Sequence, residues 1–218
     1  KDDKGIISYG ERESWYLQSV ESKTMIALFY ISTRSDGKGA AGMYGNIDNN
    51  DTLLKKLDSI ALYNKADLKK NGLAGAKSIK TVHFAYSYAL CQHTPDNTSG
   101  VSGRPGKLTL DSLWFTYNGK TRAFKNKYSF AYGSNPGYAF ASSDRWGTYK
   151  PQSMNPSGLK NSDYPYAIQD TASKSTIDQN ASAWMLDKIV LPAGGEIDVN
   201  YESDDYAYVQ NKRAADMM

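Results

Sequence analysis

The sequence predicts an all-β protein, an antiparallel sheet built from repeated strand pairs with long aromatic-rich loops. Tyrosine accounts for 17 of the 218 residues, and aromatic residues together make up 12%. Aromatic side chains suit pleated sheets better than helices. Several segments alternate apolar and polar residues with a period of two, which is typical of a strand with one buried face. Turn-forming Gly, Asn and Pro residues separate these segments.

The chain length is that of one ordinary domain, and we expect residues 1–218 to form one β-rich module. The chain opens at Lys1 without an initiator Met or a signal peptide, so we expect it to be part of a longer chain. The mean hydropathy of -0.61 excludes an integral helical membrane protein. A net charge of +3 gives no reason to expect a nucleic-acid partner.

Three segments begin alike, with Leu, Asp, a Ser or Lys, and an aliphatic residue, at 57–60, 110–113 and 186–189. Each is followed downstream by a second segment in which apolar and polar residues alternate and which ends in Tyr, at 82–86, 128–132 and 197–201. The period of two predicts a strand in each segment. The sequence therefore predicts three repeat-like strand pairs, at about 53–90, 108–133 and 184–210.

Turn signals lie between the members of each pair, at Asn71-Gly72, at Asn118-Gly119 and at 192–195. Strands flank Gly194 and Gly195 on both sides, which indicates a conformational role rather than a phosphate-binding loop.

Residues 22–32 read as a further strand, and residues 65–71 as about two helical turns ended by Gly72. Residues 206–210 alternate again and predict the next strand of a continuing sheet. We therefore expect an edge strand or an exposed aromatic patch near 196–210 that contacts another chain or another part of this one.

The remaining segments are predicted to be loops, at 33–50, 92–107 and 134–183. A loop as long as 134–183 needs anchors of its own in a compact domain. The candidate anchors are the aromatic residues Tyr138, Phe140, Trp146, Tyr149, Tyr164 and Tyr166.

No set of residues has the spacing of a catalytic or metal-binding constellation, so we predict no enzyme activity, cofactor or metal site. Cys91 is the sole cysteine and cannot form an internal disulfide. Cys91, His93 and His83 fall short of the four regularly spaced ligands of a structural zinc site. A Cys-His nucleophile pair is the alternative, but no thiol-enzyme signature surrounds Cys91.

Two acidic positions have functional alternatives. Asp144 is expected to accept backbone N–H groups in an Asx turn while Trp146 buries the loop, and the alternative is a catalytic acid. The acidic run 202–205 reads as a solvated turn, with calcium binding as the alternative.

Four segments together resemble the YD-repeat (Rhs-like) β-rich proteins, in the version found in very large surface proteins of type-IX-secreting Gram-negative bacteria. They are the strands 108–115 and 128–133, the Asp-Arg-Trp-Gly loop 144–151 and the strand-turn-strand 186–202. The resemblance covers about residues 53–213, without the tight spacing of true YD repeats. It implies a non-catalytic module of an exported protein, located at the cell surface or outside the cell.

The same resemblance implies partners among other segments of the same long chain or other surface and secretion proteins. Bacteria of that type attach glycans at Asp-[Ser/Thr]-aliphatic motifs, and matches occur at 51–53, 58–60, 111–113 and 170–172. These matches agree with export.

The alternative function is a carbohydrate-binding module or a glycan-active enzyme. Exposed Tyr and Trp rings stack on sugars, and Trp146, Tyr149, Tyr164 and Tyr166 are the candidate platforms. A coplanar, solvent-facing row of these rings would favour sugar binding, and core packing of the long loop is the other interpretation.

Overall fold

The main feature of the computed structural model is one antiparallel sheet, which confirms the predicted all-β class. The structure describes residues 13–38, 54–97, 105–121, 127–166, 173–203, 208–209 and 212–213. The strands of the sheet are β1 (Ser19–Glu21), β2 (Met25–Thr33), β3 (Lys55–Asn64), β4 (Lys80–Leu90), β5 (Lys107–Tyr117), β6 (Lys120–Thr121), β7 (Lys127–Tyr132), β8 (Leu186–Val190) and β9 (Glu196–Asp198).

The strands follow one another across the sheet almost as they do along the chain. The order is β1-β2-β3-β4-β5-β7-β8-β9, and β6 pairs with β5 beside β7. Every pairing is antiparallel. The strand predicted at 22–32 is β2, and the segments predicted at 128–132 and 186–189 lie within β7 and β8.

Two of the predicted turn signals form tight turns. Asn118 and Gly119 have φ of 51° and 70° and connect Tyr117 to its partner Lys120. Positive φ at both central residues is the type I′ geometry that matches the twist of a hairpin. Between β8 and β9, Gly194 has φ of 86°, a conformation that a residue with a side chain rarely adopts.

The third signal, Asn71-Gly72, lies in a helical connection instead of a hairpin turn. Helix α1 (Lys65–Gly75) joins β3 to β4, and the side chain of Asn64 caps it by accepting a hydrogen bond from the Ala66 N–H. The helix predicted from residue 65 is therefore present. Gly72, with φ of 66°, interrupts it where the sequence predicts its end.

The segment 134–183 is not the purely irregular loop that we predicted. It contains helix α2 (Lys174–Ala181) and two short 3-10 turns, Gln152–Met154 and Pro156–Gly158. The sequence of α2 is polar almost throughout, so it lacks the apolar stripe by which an amphipathic helix is recognised.

Two of the predicted aromatic anchors of this segment are wrong. Phe140 and Trp146 are 90% and 78% exposed and therefore anchor nothing within the described residues. Buried polar side chains hold the segment together instead. The ammonium of Lys150 donates to the carbonyls of Tyr164 and Tyr166 at 2.7 and 2.5 Å, and burial lowers its pKa. Hydrogen bonding is what makes such burial tolerable.

Asn161 and Trp184 complete the anchoring. The buried amide of Asn161 donates to the carbonyls of Ala141 and Lys150 at 2.6 and 2.8 Å. The indole N–H of Trp184 donates to the carbonyl of Pro136 at 2.8 Å, and its ring meets Tyr149 edge to face.

The prediction that 206–210 forms the next strand of the main sheet is wrong. Strand β10 (Tyr208–Val209) pairs with β11 (Lys212–Arg213) in a separate two-stranded ribbon. Residues 206, 207 and 210 lie outside the described residues.

The sheet is not covered by a second layer within the described residues. Among their apolar side chains only Ala61 and Ala183 are buried. Helix α1 is the only helix there with more than a marginal contact to a strand, and it meets β3, which immediately precedes it. The described chain also has no helix that is long and apolar enough to cross a membrane.

Candidate interaction surface

Three strands of the sheet carry a β-bulge at the same kind of residue. Register shifts leave Asp58 of β3, Asp111 of β5 and Asp187 of β8 without a directly opposite partner. Each is the Asp of the shared Leu-Asp beginning. A bulge bends its strand and leaves a nearby backbone group free of the ladder.

A tyrosine hydroxyl donates to the backbone carbonyl of the residue that precedes each bulged Asp. The bonds run from Tyr86 to Leu57 at 2.8 Å, from Tyr132 to Leu110 at 2.8 Å and from Tyr201 to Leu186 at 2.9 Å. Each tyrosine comes from the neighbouring strand, or from its extension in the case of Tyr201. The hydroxyl thus bonds to the bulged strand from the side opposite to the ladder in which the register shifts.

These hydroxyls are partly desolvated and lie near carboxylates. Burial raises the pKa of Tyr86 and of Tyr132, and the charges of Asp58 and Asp111 raise them further. Both effects favour the neutral phenol, which is the form that can donate to a carbonyl.

Two of the three bulged carboxylates are themselves held by hydrogen bonds. Ser32 donates to Asp58, and Ser87 donates to Asp111, each at 2.9 Å. Burial raises the pKa of Asp58, but hydrogen bonds from Lys56 and Ser32 outweigh it, so the pKa lies below its usual value. Asp58 and Asp111 therefore have structural partners.

We expect Tyr132→Phe to lower the free energy of unfolding by about 1 kcal/mol, the usual worth of a partly buried hydrogen bond. The Leu110 carbonyl then loses its donor while the ring is kept. Urea denaturation measures the change. Tyr128→Phe in the same strand is the control, because the structure gives no hydrogen bond for its hydroxyl. Equal losses for both variants would contradict a role for the Tyr132 hydroxyl.

The cross-strand pairs divide the sheet into two unlike faces, because directly opposite residues point to the same side. One face, called here the apolar face, consists of Ala27, Phe29, Ile60, Leu62, Val82, Phe84, Leu113, Phe115, Tyr128, Phe130, Ile189 and Ile197. The polar face carries Ser59, Ala61, Thr81, His83, Ala85, Ser112, Trp114, Thr116, Ser129, Lys188 and Asp198.

No side chain of the apolar face is buried, although some of its rings contact other rings or a lysine. Phe115 meets Tyr128 edge to face with centroids 6.4 Å apart, and the Lys80 ammonium lies 4.0 Å from the Phe115 centroid. Large contiguous apolar surfaces of this kind mark interaction sites. The apolar face is therefore the candidate interaction surface.

Small residues on the polar face are buried by their neighbours. Thr81, Ser112 and Thr116 are buried, and Thr81 lies directly opposite Thr116. His83 stacks on Trp114 with centroids 5.3 Å apart, and its Nε2 lies 3.0 Å from the Thr116 hydroxyl. Burial lowers the pKa of His83, so the neutral ring is favoured. His83 thus belongs to the packing of this face.

The alternative Cys-His pair has no mutual contact within the described residues. Cys91 is a free cysteine whose N–H donates to the Asn135 side chain, and His93 is exposed with φ of 70°. Within the ranges that the structure describes, no three His, Cys, Asp or Glu residues are grouped so as to hold a metal ion.

Asp144 adopts the predicted turn, but the role expected of Trp146 is wrong. One carboxylate oxygen of Asp144 accepts from the N–H groups of Trp146 and Thr148 at 2.8 and 2.9 Å. Trp146 is exposed and does not bury the loop. In the acidic run 202–205, Ser203 bonds to Asp178, and residues 204 and 205 lie outside the described residues.

The four candidate sugar platforms do not form a coplanar row. Trp146 is exposed, Tyr149 packs edge to face against Trp184, and the rings of Tyr164 and Tyr166 are perpendicular. A cleft of about 700 Å³ nevertheless opens nearby, lined in part by Phe140, Asp144, Arg145, Gln152, Lys160 and Asn161.

The hydroxyl of one glycan motif is inaccessible to glycosylation. Ser112 is only 1% exposed, so no glycan can be attached to its hydroxyl in the folded sheet. Ser59 is half-buried, and Thr52 and Thr171 lie outside the described residues.

Comparisons with protein families, with curated proteins and with solved structures found no match for this chain.

Proposed function

We propose that this chain is a non-catalytic structural or interaction module of a large exported cell-surface or secreted protein. The observation that carries the proposal is the apolar face, which crosses most of the sheet and is not covered by any described element. A sheet with one apolar and one polar face needs a second layer to bury the apolar one. Other segments of the same long chain, or other surface and secretion proteins, supply it.

The chemistry of the three bulges supports the finer architecture of repeated strand pairs. In three places a strand that contains Leu-Asp lies beside a segment that carries a tyrosine. The same hydroxyl-to-carbonyl hydrogen bond, 2.8 to 2.9 Å long, joins them each time. Repetition of one supersecondary unit is typical of scaffolds that present extended surfaces. It also agrees with the resemblance to YD-repeat proteins.

The contacts of Asp144 support a non-catalytic role for this residue. Its carboxylate already accepts two backbone N–H groups, which hold it in the turn. A general acid would need a second functional group at a defined distance, and the sequence offers none.

The proposal predicts that the apolar face is protected in the parent protein and open in the isolated chain. Ile31 and Tyr30 are neighbours in β2 that point to opposite faces and are 41% and 38% exposed. We expect Ile31→Cys and Tyr30→Cys, each combined with Cys91→Ser, to react with a polar thiol reagent at similar rates in the isolated chain. In the parent protein, Ile31→Cys should react at least about tenfold more slowly, since each 1.4 kcal/mol of protection is a factor of ten.

The paired positions serve as controls for each other. Equal labelling of both cysteines in the parent protein would contradict a covered apolar face. Slower labelling of Tyr30→Cys alone would place the partner on the polar face instead.

A carbohydrate-binding module is the second candidate, and the cleft beside Phe140 favours it. The ring of Phe140 is almost fully exposed at a cleft that also offers Arg145 and Asn161. An exposed ring beside polar groups is suited to stacking on a sugar. Saturable binding of an oligosaccharide that Phe140→Ala abolishes would establish this candidate.

A further inference from the structure

From β3 to β9 the strands of the main sheet are of two alternating kinds. We use the term bulge strand for β3, β5 and β8, which carry the bulged Asp58, Asp111 and Asp187. Tyrosine strand denotes β4, β7 and β9, from which or from whose extension Tyr86, Tyr132 and Tyr201 bind the preceding bulge strand. Bulge strands and tyrosine strands alternate from β3 to β9.

At the opposite margin, β1 bonds to β2 in the same hydrogen-bonding register in which the bulge strand β8 bonds to β9. Ser19 pairs with Leu28 while the Phe29 N–H donates to the Gln18 carbonyl at 2.9 Å. At the β8–β9 seam, Lys188 pairs with Asp198 while the Val199 N–H donates to the Asp187 carbonyl at 2.8 Å. Gln18 therefore takes the place of the bulged Asp, and residues 17–20, Leu-Gln-Ser-Val, take the place of Leu-Asp-Ser-Ile.

In β2, Ile31 occupies the position that the tyrosine occupies in the tyrosine strands. Ile31 lies opposite Leu57, just past the register shift, as Tyr86 lies opposite Leu110. The sheet thus begins at β1, which aligns with the bulge strands, and ends at the tyrosine strand β9. At the seams β4·β5 and β7·β8 a tyrosine strand meets the bulge strand that follows it, and β2, with Ile31 in the tyrosine position, meets β3 in the same way.

The outer backbone groups of both marginal strands face away from the sheet. Because Gln18 and Val199 are bonded inward, the alternate residues Ser19, Glu21, Asp198 and Asn200 direct their N–H and C=O groups outward. No described strand pairs with these outer edges. Apolar side chains next to them, including those of Leu17, Val20 and Ile197, are exposed.

We propose that β9 of one copy pairs antiparallel with β1 of a second copy, so that the sheet continues head to tail from molecule to molecule. The inference rests on the proposed structural role and names the partner at the sheet edge. Its template is the β2·β3 seam, in which Tyr30 lies opposite Ser59 and Leu28 opposite Ala61. Transferred to the new seam, Asn200 lies opposite Ser19, and Asp198 lies opposite Glu21.

The charges at this seam weaken the contact, and substitutions that change these charges will change its strength. Asp198 and Glu21 are like charges placed opposite each other, which disfavours pairing. Each keeps a lysine on its other side: Lys188 is 3.3 Å from Asp198, and Lys65 is 2.7 Å from Glu21.

The contact is between unlike edges, so it does not close on itself in a dimer. A heterologous contact of this kind gives open chains of molecules unless rotation closes a ring. A two-fold contact of β1 with β1, or of β9 with β9, would place two strands of the same kind side by side. No described seam of the sheet does that.

The test uses one blocked edge in each of two variants of the full chain. Ser19→Pro and Asn200→Pro each remove an outward N–H and leave the inward hydrogen bonds of their strands intact. Sedimentation velocity should show wild-type oligomers that grow with concentration, and each variant alone should be monomeric. An equimolar mixture should contain heterodimers only, because one open β1 edge and one open β9 edge remain. Unchanged circular dichroism shows that both variants fold.

The opposite results are equally clear. A wild type that stays monomeric at millimolar concentration, or a single variant that still oligomerises as wild type does, would overturn the head-to-tail contact. So would a mixture without heterodimers when wild type associates. Glu21→Thr should strengthen wild-type association up to about fivefold by removing the like-charge pair. None of these results depends on labelling at Ile31, so the contact can fail while the covered apolar face stands.

Discussion

Replacing Asp36 with Ala is expected to lower the free energy of unfolding by about 3 kcal/mol, as for other buried ion pairs that lose one partner. Asp36 is 2% exposed and accepts two hydrogen bonds of 2.7 Å from the Arg34 guanidinium. It also accepts the Leu108 N–H at 2.8 Å, which links the segment after β2 to β5. The substitution leaves the guanidinium and a backbone donor without their partner.

The loss should also appear as a pH dependence. Burial raises the pKa of Asp36, but the bonds from Arg34 and Leu108 outweigh it, and the net pKa lies below the usual value. The unfolded chain therefore binds the proton first as the pH falls. The stabilisation is fully present above about pH 4 and is lost as the pH drops through the lower, folded pKa. Chemical denaturation between neutral and acidic pH measures it, and Asp36→Asn should flatten this part of the curve.

Asp198→Ala is the matched control, since Asp198 is an exposed carboxylate in a surface ion pair with Lys188. Such pairs contribute about 0 to 1 kcal/mol. If Asp36→Ala cost no more than Asp198→Ala, the link between the β2 end and β5 would not contribute to stability.

Gly106→Ala should be the most damaging small substitution in the described chain, with a loss of about 3 kcal/mol or more from overpacking. A Cβ at this position would lie 1.7 Å from the Leu90 carbonyl oxygen and 2.6 Å from its carbon. Both are backbone atoms at the end of β4, so a rotamer change cannot relieve the clash. The Gly106 N–H also donates to the Tyr88 carbonyl at 2.9 Å, which fixes its position.

Thermal and urea unfolding of Gly106→Ala and Gly195→Ala test this expectation. At Gly195 an added Cβ would lie 3.6 Å from a Leu191 methyl group, an ordinary contact, and this variant should be nearly neutral. Comparable stability of the two variants would show that the approach of Gly106 to Leu90 is not close in solution.

Local patterns were sufficient to predict several strands and the simplest turn. The alternation in 128–132 corresponds to β7, and Asn118-Gly119 forms a two-residue hairpin turn. Both features depend on a few consecutive residues, and their physics is local. The apolar face follows from the same alternation once the register is known.

The bulges could not be predicted, because a period of two does not show where pairing slips by one residue. Asp58 and Asp111 looked like ordinary strand positions until their partners were known. Strand β1 was missed for a related reason. It is only three residues long, and Gln18 stands where the bulge strands have Asp.

The anchors of the segment 134–183 could not be predicted, because residue type alone does not determine which of its side chains are buried. Aromatic residues were expected inside, yet Phe140 is exposed while the charged Lys150 is buried. Lys150 can be buried because the carbonyls of Tyr164 and Tyr166 accept from it, a tertiary arrangement with no counterpart in the linear pattern.

The near-sequential strand order also determines the order in which parts of the sheet can unfold. Apart from the pairing of β5 with β7, between which β6 lies along the chain, each strand of the main sheet pairs only with its neighbours along the chain. Stability then approximates a sum of nearest-neighbour terms, as in linear repeat proteins. The other seams close shorter connections, whereas β7·β8 closes the connection between Tyr132 and Leu186 and carries a larger entropic cost. The outer hairpin β8–β9 can therefore separate before the central strands do, and partial unfolding proceeds inward from the margins.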